Sequence, residues 1–430
     1  IHGANALQGI GGTGGILNLI TPRGPKVSRL VAVWVAASML ATSWAPAYAY
    51  SNATPGYGGV VSQAPGYYNA PPDVNVMFTL DDSGSMQWET IPDSKDSVDD
   101  NLWNNFYDSL GEFKLSSRKW RYYRSPQGNP LYYNPNVRYD PWPYAGDDTK
   151  RYAKADPKVA CYVLQKLPIS TATPQPSTPP AINCGTTRNL TDRVNPYWRQ
   201  NNAADNEDVN YWPATYFRWL APSGTTLRPT GRADQTGNPD DATGMTYWQK
   251  VEIKPSVTVY PPKLSSSDPQ PSKGVQRTDC AGTTCTYDEE IQNFANWFQF
   301  YRNRALMAKG GIAAAFAKQG TNMRVGFAAI NDSAVVRRGV RAFSGNARRD
   351  FYLELYDRGS SGGTPLRLAM DKVGAYFERT NAGNPWAEDP SSSSVGTEHA
   401  CRRSFHILST DGFWNGSAAS SNAKNNNDSF

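Results

Sequence analysis

The sequence predicts an α/β fold, a mostly parallel sheet with helices packed on it, interrupted by one long irregular insertion. Three observations carry this. Short continuous apolar runs recur at residues 74–80 (VNVMFTL), 323–331 (MRVGFAAIN) and 403–415 (RSFHILSTDGFWN), the pattern of strands covered on both faces. Helical periodicity separates them, and strands alternating with helices indicate a sheet with right-handed crossovers. Between residues 89 and 288 that periodicity disappears, and Pro, Asn and aromatic residues take over.

Taken in chain order, residues 1–22 have no initiator Met and are given no fold. Arg23, Lys26 and Arg29 then precede an apolar run at residues 30–40, and Ala47-Tyr48-Ala49 fits the small-x-small rule for signal cleavage before Tyr50. The run falls short of the ~20 residues a membrane span needs. Residues 1–49 are therefore read as an upstream extension plus export signal, leaving no transmembrane anchor after cleavage. Residues 50–72 are a Pro/Gly/Tyr linker, and the α/β domain is expected over residues 73–430.

The 43 basic and 38 acidic residues leave a net charge of +5, too small and dispersed to imply a nucleic-acid partner. Thirteen Trp, 24 Tyr and 32 Pro against 19% charged residues fit long loops pinned by aromatic packing. A structureless loop as long as residues 89–288 would be unusual, so an inserted subdomain is expected there. In its YYNPNVRYDPWP run, aromatic–proline packing is preferred over ligand contact. Five cysteines suit an exported chain. Cys280 with Cys285 and Cys161 with Cys184 are the expected disulfides. Cys401 is left over, either pairing with a cysteine beyond Phe430 or remaining free. Three His and no paired CxxC argue against a zinc site.

Residues 286–320 carry a long amphipathic helix. Thr286 and Glu289 have capping-box spacing, Ile291, Phe294, Ala295, Phe298, Tyr301, Ala305 and Ala308 share one stripe, and Gly310-Gly311 is the expected break. Residues 344–357 read as a short helix, and residues 362–380 as a Gly-rich loop opening into another. Thr364 would cap that helix, with Pro365 at its first position.

Candidate function lies at the strand ends. Asp81-x-Ser83-x-Ser85 follows the first strand, Thr364 lies in the Gly-rich loop, and Asp411 follows the last strand. Loops at the carboxyl ends of parallel strands share one edge, where ligands gather. No Lys or Arg adjoins the motif in the sequence, so the balancing charge is expected to be a metal ion. An all-oxygen set suits a hard divalent cation, Mg²⁺ by preference with Mn²⁺ or Ca²⁺ as alternatives. Taken singly, the same residues are an Asx-type turn, a helix cap and a turn aspartate. Asp82 reads as a solvated loop acid.

These residues resemble the metal-ion-dependent adhesion site of von Willebrand factor A domains, over roughly residues 73–87 and 286–415. That resemblance implies a doubly wound, Rossmann-like sheet, with Ser83, Ser85 and Thr364 ligating directly and Asp81 and Asp411 holding waters. Together with YYNPNVRYDPW, GGTPLR and CRRSFHILSTDGFWN, the chain resembles more narrowly the PilY family of type IV pilus tip-associated proteins. In that family a C-terminal β-propeller follows the A domain. The domain's last elements are expected to be absent at Phe430. The resemblance implies a non-enzymatic adhesin and pilus-assembly factor, exported through the periplasm to the pilus tip, cell surface or outer membrane. Its implied partners are minor pilins or the tip complex, and a surface ligand bearing an acidic group. The implied roles are attachment, twitching motility and surface sensing. Two alternatives stand: a generic secreted A-domain protein unrelated to pili, and a metal-dependent hydrolase using Asp81 or Ser83. Against the hydrolase, the sequence has no GxSxG elbow, no P-loop and no Ser/His/Asp ordering.

Overall fold

A computed structural model describes residues 72–89, 124–172, 175–192, 212–220, 248–399, 401–412, 414–416 and 419, together with two short strands nearer the start. The expected export signal and all but the last residue of the expected linker lie outside the described residues. β1 (Ala4–Leu7) and β2 (Leu17–Ile20) pair as a two-stranded sheet, where the sequence reading assigned no fold.

The remaining elements run β3 (Val74–Leu80), β4 (Pro143–Tyr144), β5 (Asp147–Arg151), β6 (Ala160–Lys166), β7 (Asn183–Arg188), β8 (Thr215–Trp219), β9 (Trp248–Glu252), α1 (Tyr287–Phe300), α2 (Arg304–Ala317), β10 (Met323–Ala329), β11 (Val336–Ala342), α3 (Gly345–Asp357), α4 (Leu366–Phe377) and β12 (Ser404–Ser409). Strands β4 to β9 form three two-stranded ribbons. The main sheet has the order β11-β10-β3-β12. β3 is parallel to both β10 and β12, in registers such as Val325↔Val76 and Ile407↔Phe78. β11 runs antiparallel to β10. The fold is therefore α/β with a mixed sheet.

Side-chain alternation along β3 sorts the core into two faces. Phe78 and Leu80 join Phe316, Phe327, Phe343 and Phe351 on one side, where α2 and α3 contribute. The Phe316 and Phe351 rings lie 4.7 Å apart. Met77 joins Ala328, Val340, Ala369, Val373 and Tyr376 on the other, against α4. Helices thus cover both faces, which is why β3 and β10 read as unbroken apolar runs.

β11 was not foreseen. Its sequence, VRRGVRA, carries three arginines, and Val340 alone among its side chains is buried. As an antiparallel edge strand it buries little and lacks the apolar run that marks β3 and β10. Glu354 on α3 offsets part of that charge, pairing with Arg337 (3.3 Å) and Arg338 (2.9 Å), and it also meets Arg358 beyond α3 (3.4 Å).

The capping box at Thr286 and Glu289 is present, but the helix breaks at residues 301–303, not at the glycine pair. Asn303 accepts from the Leu306 N–H (2.8 Å) and starts α2 as a new helix. Gly310 lies inside α2, where a Cβ would come within 2.7 Å of Trp142 Nε1 and of the Tyr301 ring. That glycine permits close approach rather than a turn.

The YYNPNVRYDPWP run lies along α1. Tyr133, Tyr139 and Trp142 are buried. Trp142 Nε1 donates to the Phe300 carbonyl (3.1 Å), and Trp297 Nε1 donates to that of Leu131 (2.8 Å). Asn293 takes the Tyr139 N–H (2.7 Å) and donates to Val137 O (2.8 Å). These contacts are the packing expected of the run. Cys161–Cys184 and Cys280–Cys285 are disulfide-bonded, and Cys401 is an exposed free thiol. Among the described residues no helix is long and apolar enough to cross a membrane.

Candidate functional site

β3 and β12 end side by side, with Ser409 opposite Leu80, and the Asp81 N–H donates to Ser409 O (2.9 Å). The loops that follow therefore leave the sheet together. Asp81 turns its carboxylate back, accepting the Ser83 N–H on Oδ1 (2.8 Å) and the Thr410 hydroxyl on Oδ2 (2.6 Å). Ser83 Oγ lies 3.1 Å from Ser85 Oγ, and Ser85 Oγ donates to Asp411 Oδ1 (3.1 Å). Asp81, Ser83, Ser85 and Asp411 are thus linked by hydrogen bonds across two loops, Asp81 through the Ser83 N–H and the other three through side-chain oxygens. Asp81, Ser83 and Asp411 are buried at its base.

The Gly-rich loop closes the third side. Gly84 N–H donates to Gly362 O (3.0 Å), and Ser361 N–H donates to Asp82 O (2.8 Å). Gly362 has φ +80°, and a Cβ there would meet Asn331 Oδ1 at 2.9 Å, so this turn needs glycine. Thr364 is buried on this loop. Its N–H donates to Asn415 Oδ1 (2.7 Å), and its carbonyl accepts the Asn415 N–H (3.1 Å). The expected cap is not made: Pro365 is the residue preceding α4, and no side chain caps that helix. Thr364 is held by Asn415 instead.

Two further expectations are corrected. Asp82 is not a solvated acid. It is 5% exposed, accepts the Asn331 N–H (2.9 Å) and lies 3.7 Å from Arg358. Burial raises its pKa against the lowering by those partners. The motif also does not lack a basic neighbour. Arg304, the first residue of α2, places Nη1 2.6 Å from Asp411 Oδ2, with both side chains at most 3% exposed. Its guanidinium also lies 4.8 Å from the centre of the Trp88 ring, a cation–π contact. Burial raises the Asp411 pKa, Arg304 opposes that, and the Asp81 charge adds to it. Arg304 was invisible in the sequence because it lies 107 residues from Asp411. Only the end of α2 brings it there.

The donors are hydroxyls, carboxylates and carbonyls, the chemistry a hard divalent cation takes. Among the described residues, no group of three or more His, Cys, Asp or Glu side chains converges for a metal. The donor types themselves fit such an ion, with Asp81, Ser83, Ser85 and Asp411 on the two strand-end loops. Thr364 lies on the loop tied to them through Gly84. A small pocket lined by Met86, Leu131, Arg304, Met307, Thr410 and Asp411 adjoins the site.

No family model matches the chain, and no solved structure matches it. Curated relatives do. The type IV pilus biogenesis factor PilY1 of Pseudomonas aeruginosa strain UCBPP-PA14 is 26% identical over 378 residues, covering 86% of this chain and 26% of that protein. The PilY1 of strain PAK is 26% identical over 364 residues, covering 80% and 24%. That of strain PAO1 reaches 35% identity over 190 residues, covering 41% and 16%. At most about a quarter of each relative's length is spanned. Most of the chain thus aligns with two of these proteins, and a shorter stretch aligns at higher identity with a third; the chain is similar to PilY1 proteins over most of its length.

Proposed function

We propose that this chain is the A-domain part of an exported type IV pilus biogenesis factor and adhesin, which engages partners through a divalent cation. The sheet would be that of a von Willebrand factor A domain, with residues 89–288 as its insertion. The observation that carries the reading is the hydrogen-bonded set Asp81, Ser83, Ser85 and Asp411 at the joint carboxyl ends of β3 and β12. Ser83, Ser85 and Thr364 would hold the ion directly, and Asp81 and Asp411 through water. When bound, Mg²⁺ or a similar ion offers an open coordination position to an acidic group on a partner. The residues themselves orient: Asp81 fixes the Ser83 backbone, Thr410 fixes Asp81, and the Gly84–Gly362 contact sets the third loop against the first.

Binding, not catalysis, is the proposed role. His406 is hydrogen-bonded to Thr79 within the sheet (2.7 Å), and Arg304 is engaged with Asp411. Minor pilins or the pilus tip complex, and acidic groups on host or abiotic surfaces, are the proposed partners. Pilus assembly, twitching motility and surface sensing are the proposed consequences. Calorimetric titration of the chain with Mg²⁺ and Mn²⁺ tests the site, beside a folded Asp81→Ala/Ser83→Ala variant. Saturable one-site binding lost in the variant is expected. A folded parent that takes up neither ion sinks the reading.

A further inference from the structure

Arg304 holds a position that the proposed ion site does not need. An acidic pair, Asp81 and Asp411, would suit a dication with no other cation nearby. Instead a buried guanidinium lies on Asp411 at 2.6 Å. It is fixed from three directions: the Arg304 N–H donates to Trp88 O (3.0 Å), the guanidinium faces the Trp88 ring, and the Asn303 cap sets the start of α2. Trp88 itself follows the motif by three residues. The arginine is therefore tied to the segment that follows Ser83 and Ser85.

We infer that Arg304 is an internal counter-cation of the site, which competes with the divalent ion for Asp411 and sets the concentration at which the ion enters. The inference rests on the metal-site reading above. Both Asp411 oxygens are in use, Oδ2 by Arg304 and Oδ1 by Ser85. An ion drawing on Asp411, directly or through a water, must share that carboxylate with the guanidinium or displace it. It also approaches a fixed positive charge at low effective dielectric, where charge repulsion is poorly screened. Removing the charge while keeping the fold must then tighten ion binding. A purely structural arginine would do the opposite, since its loss would loosen the loop and weaken binding.

The device also has a reciprocal side. Whatever weakens the Arg304–Asp411 contact strengthens ion binding, and ion binding weakens that contact by the same factor. Arg302, two residues earlier, holds Glu89 (2.9 Å) and donates to Phe298 O (2.7 Å). The joint between α1 and α2 thus connects the ion site to the segment following the motif.

The experiment compares Mg²⁺ and Mn²⁺ titrations, by calorimetry, of the full chain, Arg304→Gln and Arg304→Lys. Arg304→Gln is expected to bind at least tenfold more tightly than the parent, while Arg304→Lys, which keeps the charge, stays within a few fold of it. Equal or weaker binding by folded Arg304→Gln overturns the inference and leaves the site intact. Absence of binding in all three proteins overturns the metal-site reading as well. Should Arg304→Gln not fold without metal, the Arg304 Nε–H resonance of the parent, assigned with Arg304→Lys, decides. It must shift with the same midpoint as the calorimetric binding. A resonance unmoved at saturating ion overturns the inference.

Discussion

Lys309 is a group at which burial outweighs the charges around it. It is 8% exposed, and its Nζ donates to the Arg358 carbonyl. Burial lowers its pKa from 10.5 to about 8, against opposing attraction from Asp357 and Asp82. The unfolded chain then binds more protons between about pH 8 and pH 10.5, so stability rises with pH across that window. The full shift corresponds to about 3 kcal/mol. Relative to Lys309→Met, the parent should gain that order of stability between pH 7.5 and pH 10.5 in urea denaturation. A constant difference between the two proteins would show that Lys309 is solvated. Its neighbour Gly310 gives a second residue-scale test. Alanine favours helix by about 1 kcal/mol over glycine, yet its Cβ would overlap Trp142 and Tyr301, and overpacking typically costs about 1–3 kcal/mol. Gly310→Ala should therefore destabilise, and a rise in the denaturation midpoint would refute the close contact.

At the scale of elements, the strands with apolar runs were legible and the charged one was not. β3 and β10 announced themselves because continuous burial demands continuous apolar sequence, and β12 is legible from its own apolar residues although it is only partly buried, whereas β11 meets solvent and α3 through arginines. The helix over residues 286–320 was legible as a stripe but not as two pieces. Its true joint is set by Asn303, a single polar cap, and the more conspicuous Gly310 serves packing. Asn303→Ala removes the side-chain acceptor for Leu306 and should cost about 1 kcal/mol. Because Arg304 starts the helix that this cap fixes, the variant should also disturb the Trp88 contact, visible in near-ultraviolet circular dichroism. An unchanged spectrum and midpoint would mean that tertiary packing alone sets the start of α2. The candidate site divides the same way. Asp81, Ser83, Ser85 and Asp411 could be placed together because parallel strands deliver their loops to one edge. Arg304, Thr410 and Asn415 carry no local pattern, and only the packing of α2 and the turn after β12 bring them in.

For the whole molecule, the question is whether the described parts of residues 89–288 unfold with the sheet or apart from it. A single hydrophobic cluster contains Tyr133, Trp142 and Tyr216 from that interval together with Phe294, Trp297, Phe327 and Phe351 from the helices and sheet. A buried ion pair crosses the same boundary. Arg277 Nη1 lies 2.6 Å from Glu290 Oε2 on α1, with both side chains 1% exposed, and Tyr133 OH donates to Glu290 Oε1 (2.9 Å). Burial raises the Glu290 pKa while Arg277 opposes it, so the carboxylate depends on its partner to remain charged. Removing one member of such a pair strands the other and typically costs about 3–5 kcal/mol, whereas replacing both with apolar residues costs far less. Glu290→Met should therefore be severely destabilising, and Arg277→Met/Glu290→Met should recover much of the loss. With one shared core, the parent should unfold in one transition, coincident by far- and near-ultraviolet circular dichroism. The Glu290→Met variant should shift both signals together. Two separated transitions, with only the aromatic signal moving in the variant, would mean that the interval folds on its own and merely docks on α1.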